Sequence, residues 1–241
     1  MTDRRWGINI DVEGFSNLYE SGEDNQTRAI LGLSELMHSI IQLGIRVFPG
    51  SPISNESDRL FSHQFGDGFI IVSDYEESDA GRAIAIAVAL MRHMLINGFA
   101  TKAAISTGSM SDISGCYPNE MRDAKGGILP MGAGLMTSIP VMGTALTKAH
   151  KLGSRASGCV LIVDKTQFST LPSDLVYKSE SNLSFINWRS DINYLAKGYA
   201  AKAGLQFGTN EQLNELFDNY VKTEPCPPQK WIAGSQIEVS T

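Results

Sequence analysis

Apolar and polar positions alternate from Gly7 to Val12. Ile8, Ile10 and Val12 fall on one side, and Gly7, Asn9 and Asp11 on the other. This is the period of a half-buried strand. Gly14 and the polar stretch Ser16 to Asn25 break the pattern. From Thr27 onward Ile30, Leu33, Met37, Ile40 and Ile41 recur at steps of three and four, which predicts an amphipathic helix capped by Gly44. Pro49 to Asp58, rich in Pro, Ser and Asn, reads as a loop. Two short apolar segments follow, Arg59 to Phe65 and Phe69 to Val72, joined through Gly66-Asp67-Gly68. That is hairpin chemistry, because Asp-Gly tolerates the positive φ angles of a tight turn. A second helix is predicted over Ser78 to Asn97, apolar almost all round from Ala83 to Met91 and therefore buried.

Thr101 to Thr107 reads as a strand. Gly108 to Gly134 reads as a long loop with a short strand at Gly127 to Met131; loops of that length are more often functional than not. A helix is expected over Ile139 to Leu152, with Ser138 as N-cap, Pro140 in the first turn and Gly153 at its end. Strands are expected at Cys159 to Val163 and Ser184 to Trp188, and helices near Ile192 to Ala203 and Asn210 to Val221. The tail from Glu224, with Pro225, Pro227 and Pro228, reads as an arm or an unstructured segment. The order β-α-β-β-α-β is the split βαβ, ferredoxin-like arrangement of an α/β (α+β) protein. The expected organisation is one domain over residues 1–189 and a helical extension with a Pro-rich tail over 190–241.

The 241 residues are enough for a sizeable core, and 26 acidic residues against 20 basic ones give a formal charge of −6. No basic balance points to nucleic acid. The longest apolar run, Ala83 to Met91, is too short to span a bilayer, and Met1 to Trp6 lacks the apolar core of a signal peptide. Three widely spaced cysteines, Cys116, Cys159 and Cys226, fit neither a disulfide framework nor a zinc knuckle. A cytoplasmic location is the expectation.

The chemistry concentrates at two aspartates. Asp11 ends the first strand and Asp67 lies in the hairpin turn; if those elements are neighbours, both carboxylates reach one spot on the sheet. With backbone carbonyls and phosphate oxygens they form a hard oxygen site suited to Mg²⁺ or Mn²⁺. Taken singly, a turn Asp and a strand-end Asp are structural in most proteins. Between the strand and the first helix, Val12-Glu13-Gly14-Phe15-Ser16 is a glycine turn whose amides can face an anion.

At these residues the chain resembles the class III nucleotidyl cyclases. Asn9-Ile10-Asp11-Val12-Glu13-Gly14-Phe15-Ser16 is similar to that family's first-strand signature, roughly D-[IV]-x-G-F-[ST]. Phe65-Gly66-Asp67-Gly68-Phe69 is similar to its second metal motif, and Lys102 to Gly108 resembles its later R-x-G-I-x-x-G strand. Val141-Met142-Gly143 through Leu152 resembles, more distantly, the family's dimer-arm helix. The resemblance implies that Asp11 and Asp67, with the Val12 carbonyl, bind two divalent cations, Mn²⁺ or Mg²⁺. It implies phosphate binding at Gly14, Phe15 and Ser16, in-line attack of the ribose 3′-oxygen on the α-phosphorus, and a homodimer with sites between the protomers.

Departures from the family pattern bear on the substrate. Purine cyclases place a Lys or Glu four residues before the second aspartate, where this chain has His63. Adenylate cyclases carry an Asp where this chain has Pro140. Both usual purine readers are absent, and a site stripped of such hydrogen-bonding groups loses its base preference. In this the chain resembles the stand-alone Pycsar pyrimidine cyclases of anti-phage defence. That resemblance implies a UTP cyclase making cyclic UMP, with a separate effector sensing the product. CTP or a purine nucleotide is the alternative substrate, and a catalytically degenerate nucleotide-binding module is the alternative function. His63 is the candidate base reader, with Arg59 on the same strand face and Phe61 or Phe65 as stacking rings. The family's transition-state Asn and Arg align with Thr147 and Lys151, four apart on one helix face. Arg122, Lys125 or Arg155 are the alternatives for that charge.

Overall fold

The computed structural model describes residues 4–48, 59–223 and 225–237. The chain runs β1 (Arg5–Val12), α1 (Phe15–Glu20), α2 (Glu23–Val47), β2 (Leu60–Phe65), β3 (Gly68–Ser73), α3 (Gly81–Ile96) and β4 (Thr101–Gly108). It continues through β5 (Ser111–Asp112), α4 (Asn119–Arg122), β6 (Ile128–Met131), β7 (Gly134–Thr137), β8 (Val141–Met142), α5 (Thr144–Gly153) and β9 (Leu161–Asp164). It ends with β10 (Val176–Glu180), β11 (Leu183–Ile186), α6 (Tyr194–Ala203), α7 (Asn210–Tyr220) and α8 (Gln229–Gly234).

The main sheet has the order β10-β11-β9-β4-β1-β3-β2. Its β4-β1-β3-β2 portion is the split βαβ palm expected from the hydrophobic pattern, with β1 central and antiparallel to both β3 and β4. β9 adds in parallel to β4. The sheet separates two chemistries. Ile8, Ile10, Ile71, Ala103, Ile105, Leu161 and Val163 join α2 and α3 in the main core. The opposite face carries Gly7, Asn9 and Asp11 along β1 and is covered in part by α5 through Ala145 and Leu152.

α3 is buried from Ala83 to Leu95, as its all-round apolar character demands. Its Arg92 is a fully buried charge. It donates to the carbonyl oxygens of Phe207, Arg189, Ser190 and Gly208 and to Asp191 Oδ1, at 2.8–2.9 Å, and lies 4.0 Å over the Phe207 ring. One guanidinium thereby satisfies the turns that lead into α6 and α7. α2 is 25 residues long and apolar enough to match a membrane span, but Leu36, Ile40 and Leu43 pack on the core.

Several boundaries differ from the sequence reading. Gly44 lies inside α2, which runs on to Val47. Ser16 to Glu20, read as non-helical, forms most of α1. The helix expected from Ile139 starts at Thr144. Val141 and Met142 pair with Asp112 and Ser111 as a strand, and Gly143, not Ser138, precedes the first turn. A Cβ on Gly143 would stand 2.0 Å from the Ser109 carbonyl oxygen, so the backbones meet there before the helix can begin. The long loop contains α4, and Ile128 to Thr137 forms a hairpin outside the main sheet. β10 was not expected; its half-polar, edge-strand sequence lacks a continuous apolar signal. The tail beyond residue 224 is neither an arm nor unstructured in its described part. α8 inserts Trp231, 8% exposed, against Phe217 and Tyr220. The loop expected at Pro49 to Asp58 lies almost wholly outside the described residues. Cys159 is buried, Cys116 and Cys226 are exposed, and none forms a disulfide.

Candidate active site

Asp11 sits in β1 directly opposite Gly68 on one side and Lys102 on the other. Phe65 pairs with Gly68, so Phe65, Gly68, Asp11 and Lys102 form one row across the sheet. The next row is His63, Ile70, Asn9 and Ala104. Residues opposite one another in adjacent strands share a face, so both rows point the same way.

The hairpin turn differs from the Asp-Gly reading in a way that matters for the site. Its corner is Gly66-Asp67, and the positive φ (63°) belongs to Gly66. Gly68 is required for another reason: a Cβ there would lie 2.5 Å from the Ile10 carbonyl oxygen and 2.7 Å from Asp11 Cβ. The missing side chain lets the hairpin close on the end of β1, where the Val12 amide donates to the Asp67 carbonyl at 3.3 Å. This sets Asp67 beside Asp11. Gly68→Ala is expected to force these strands apart and to destabilise the fold by about 1–3 kcal/mol. Urea unfolding monitored by tryptophan fluorescence checks this; an unchanged midpoint would show that the contact has slack.

Asp11 is electrostatically unusual. Its pKa is raised to about 6, chiefly by burial; Lys102 opposes that shift, and the charges of Glu13 and Asp67 add to it. Lys102 Nζ lies 2.7 Å from Glu13 Oε1 and 3.7 Å from Asp11 Oδ2. Asp11 Oδ1 is buried and accepts no hydrogen bond. An orphaned carboxylate oxygen in a buried site is normally explained by an unseen partner. The charge of a second carboxylate, Asp67, acts on Asp11, and two carboxylates are hard oxygen donors of the kind that suit Mg²⁺ or Mn²⁺. Among the described residues, no cluster of three or more His, Cys, Asp or Glu side chains forms a metal site. The two aspartates would leave the remaining coordination positions to water or to substrate oxygens.

The other expected site residues divide into groups. Gly14 (φ 76°) caps α1, and Phe15 and Ser16 form its first turn, three to five residues beyond Asp11. Phe15 stacks on Tyr19 at 5.6 Å. His63 is half-buried, burial lowers its pKa, and its Nε2 is buried without a hydrogen bond. A neutral imidazole offers one donor and one acceptor, the pair a pyrimidine edge presents. Phe61 packs partly against Val72 and Ile70, whereas Phe65 is 56% exposed and meets His150 edge-on at 4.7 Å. Arg59 is not brought to the site. It lies at the far end of the hairpin and pairs with Asp74, which also takes Arg5 Nη1 at 2.6 Å. Thr147 and Lys151 lie on the exposed side of α5, opposite Ala145, Ala149 and Leu152.

No family model matches the chain, and no curated protein matches it. A solved structure is similar in part. It is a class III adenylyl cyclase-like ATP-binding protein from Pseudomonas aeruginosa, with TM-score 0.44 and 12% identity over 92% of this chain. The match spans 44% of that protein's length.

Three groups at the site were not assigned from the sequence. Lys102 carried the signal of a charge inside an otherwise apolar strand. His150 reaches Asn9 Oδ1 with Nδ1 at 3.4 Å and contacts Phe65, a pairing that no spacing announces. Glu13, 9% exposed, accepts a hydrogen bond from Trp231 Nε1, a residue 218 positions away.

Proposed function

We propose that this protein is a nucleotidyl cyclase of the class III type that converts UTP to 3′,5′-cyclic UMP and pyrophosphate. The observation that carries this reading is the orphaned Oδ1 of Asp11, on the sheet face where the Asp67 turn closes. Mn²⁺ or Mg²⁺, when bound, supplies positive charge to the triphosphate and lowers the pKa of the ribose 3′-hydroxyl. Asp11, Asp67 and the Val12 carbonyl hold that charge. Gly14, Phe15 and Ser16 present amides to the phosphates, and His63 meets the base edge. Catalysis rests on aligning the 3′-oxygen with the α-phosphorus and on stabilising the leaving pyrophosphate. Thr147 and Lys151 act in this reading on the site of a second copy in a homodimer. A separate effector that senses the cyclic nucleotide is the proposed reader of the product, in anti-phage defence.

The test is incubation of the protein with Mn²⁺ and each of the four ribonucleoside triphosphates, with products resolved by mass. UTP is expected to give a product lighter by pyrophosphate. CTP turnover alone would move the assignment within the pyrimidines, and ATP or GTP turnover alone would reject it. A second reading, a module that holds nucleotide without turnover, is favoured by the ammonium of Lys102 close to Asp11. Binding of a triphosphate with no product from any of the four would establish that reading.

A further inference from the structure

Glu13 is the second carboxylate of the β1 end, and both of its oxygens are engaged. Oε1 takes Lys102 Nζ at 2.7 Å, and Oε2 takes the indole N–H of Trp231. Lys102 is thus shared unequally, closely paired with Glu13 and only loosely with Asp11. At 3.7 Å from Asp11 Oδ2 it lies beyond hydrogen-bond distance and leaves Oδ1 of Asp11 unpartnered. The anchor is firmly placed. Trp231 stacks on Phe217 with ring centroids 6.0 Å apart. Its helix is tied down by Ser235, whose Oγ donates to the Trp231 carbonyl at 2.8 Å and accepts from the Cys159 amide at 2.8 Å.

We infer that Trp231 is a positioning residue. By fixing Glu13 from the C-terminal helix, it holds Lys102 off Asp11 and keeps that carboxylate open to a divalent cation. The inference rests on the reading of Asp11 as a cation ligand and assigns the C-terminal segment a part in it. Without the indole N–H, Glu13 loses the contact that fixes its Oε2, and the Glu13–Lys102 pair is free to shift Lys102 toward Asp11. The existing loose Lys102–Asp11 ion pair then closes to hydrogen-bond distance and competes with the cation. Trp231→Phe alters no charge, so its effect on cation binding reports position alone.

The experiment measures Mn²⁺ affinity of the full chain by electron paramagnetic resonance, with no nucleotide present, together with the melting temperature. Trp231→Phe is expected to weaken Mn²⁺ about tenfold, in the range found when groups behind metal ligands are removed. The decisive arm is Lys102→Met. With the competing ammonium gone, Trp231→Phe is expected to cost nothing further. A purely structural role for Trp231 would weaken binding equally in both backgrounds and overturn the inference, as would a folded Trp231→Phe protein with wild-type affinity. If the tryptophan variant does not fold, Glu13→Gln takes its place, with a larger loss expected in the presence of Lys102 than in its absence. Failure of the wild-type protein to bind Mn²⁺ would remove the cation reading itself, an outcome distinct from wild-type binding that ignores Trp231.

Discussion

Asp67→Ala is expected to lower cyclic-nucleotide formation by at least about a thousandfold while the fold persists. The two halves of this expectation have separate causes. Asp67 sits in a two-residue turn, half-buried, and its carboxylate makes no hydrogen bond among the described residues. What it contributes to the fold is its backbone carbonyl, which accepts from the Val12 amide and survives the substitution. What it contributes to the site is a negative charge next to Asp11, strong enough to help raise the Asp11 pKa. Turnover of UTP with Mn²⁺ and the melting temperature, measured on the same preparation, check both halves. A variant with wild-type turnover would remove Asp67 from the mechanism. A variant that unfolds would show that the turn needs its carboxylate.

The largest effect on stability is expected at Arg92. Arg92→Met preserves much of the side-chain volume. It strands the carbonyls of Arg189, Ser190, Phe207 and Gly208 and leaves Asp191 without its ion pair. Removing one member of a buried, hydrogen-bonded charge network costs about 3–5 kcal/mol. For a chain of this length, that corresponds to a fall in melting temperature of about 10 °C. Arg92→Lys is expected to recover only part of the loss, because a single ammonium cannot span acceptors arranged around a planar fork. Calorimetry of the two variants checks the ranking. Equal stability of Arg92→Met and the wild type would mean that water replaces the guanidinium at no cost.

Legibility followed the range of the interactions. β1, β3, α3 and β4 were readable because each buries a periodic apolar set, and periodicity is local. α1 and the start of α5 were misplaced because what decides them is remote: the approach of Ser109 to Gly143 sets where α5 can begin. The C-terminal segment was misread because Pro225, Pro227 and Pro228 resemble a free tail. Trp231, the residue that docks it, is a single aromatic with no pattern around it. Arg59 lies on the expected strand face but far from the turn, because period two assigns a face and not a distance to a site.

The β-α-β-β-α-β order of the palm, the burial of α3, the Asp67 hairpin and the strand-end position of Asp11 followed from the chain itself, since hydrophobic period and turn chemistry act between near neighbours. The tertiary structure alone decided that Gly68 brings Asp67 beside Asp11, that Lys102 is shared unequally between Asp11 and Glu13, and that Trp231 reaches Glu13 from 218 residues away. Those are contacts between surfaces that meet only once the sheet has formed, and the strength of each charge there depends on how much water the packing excludes.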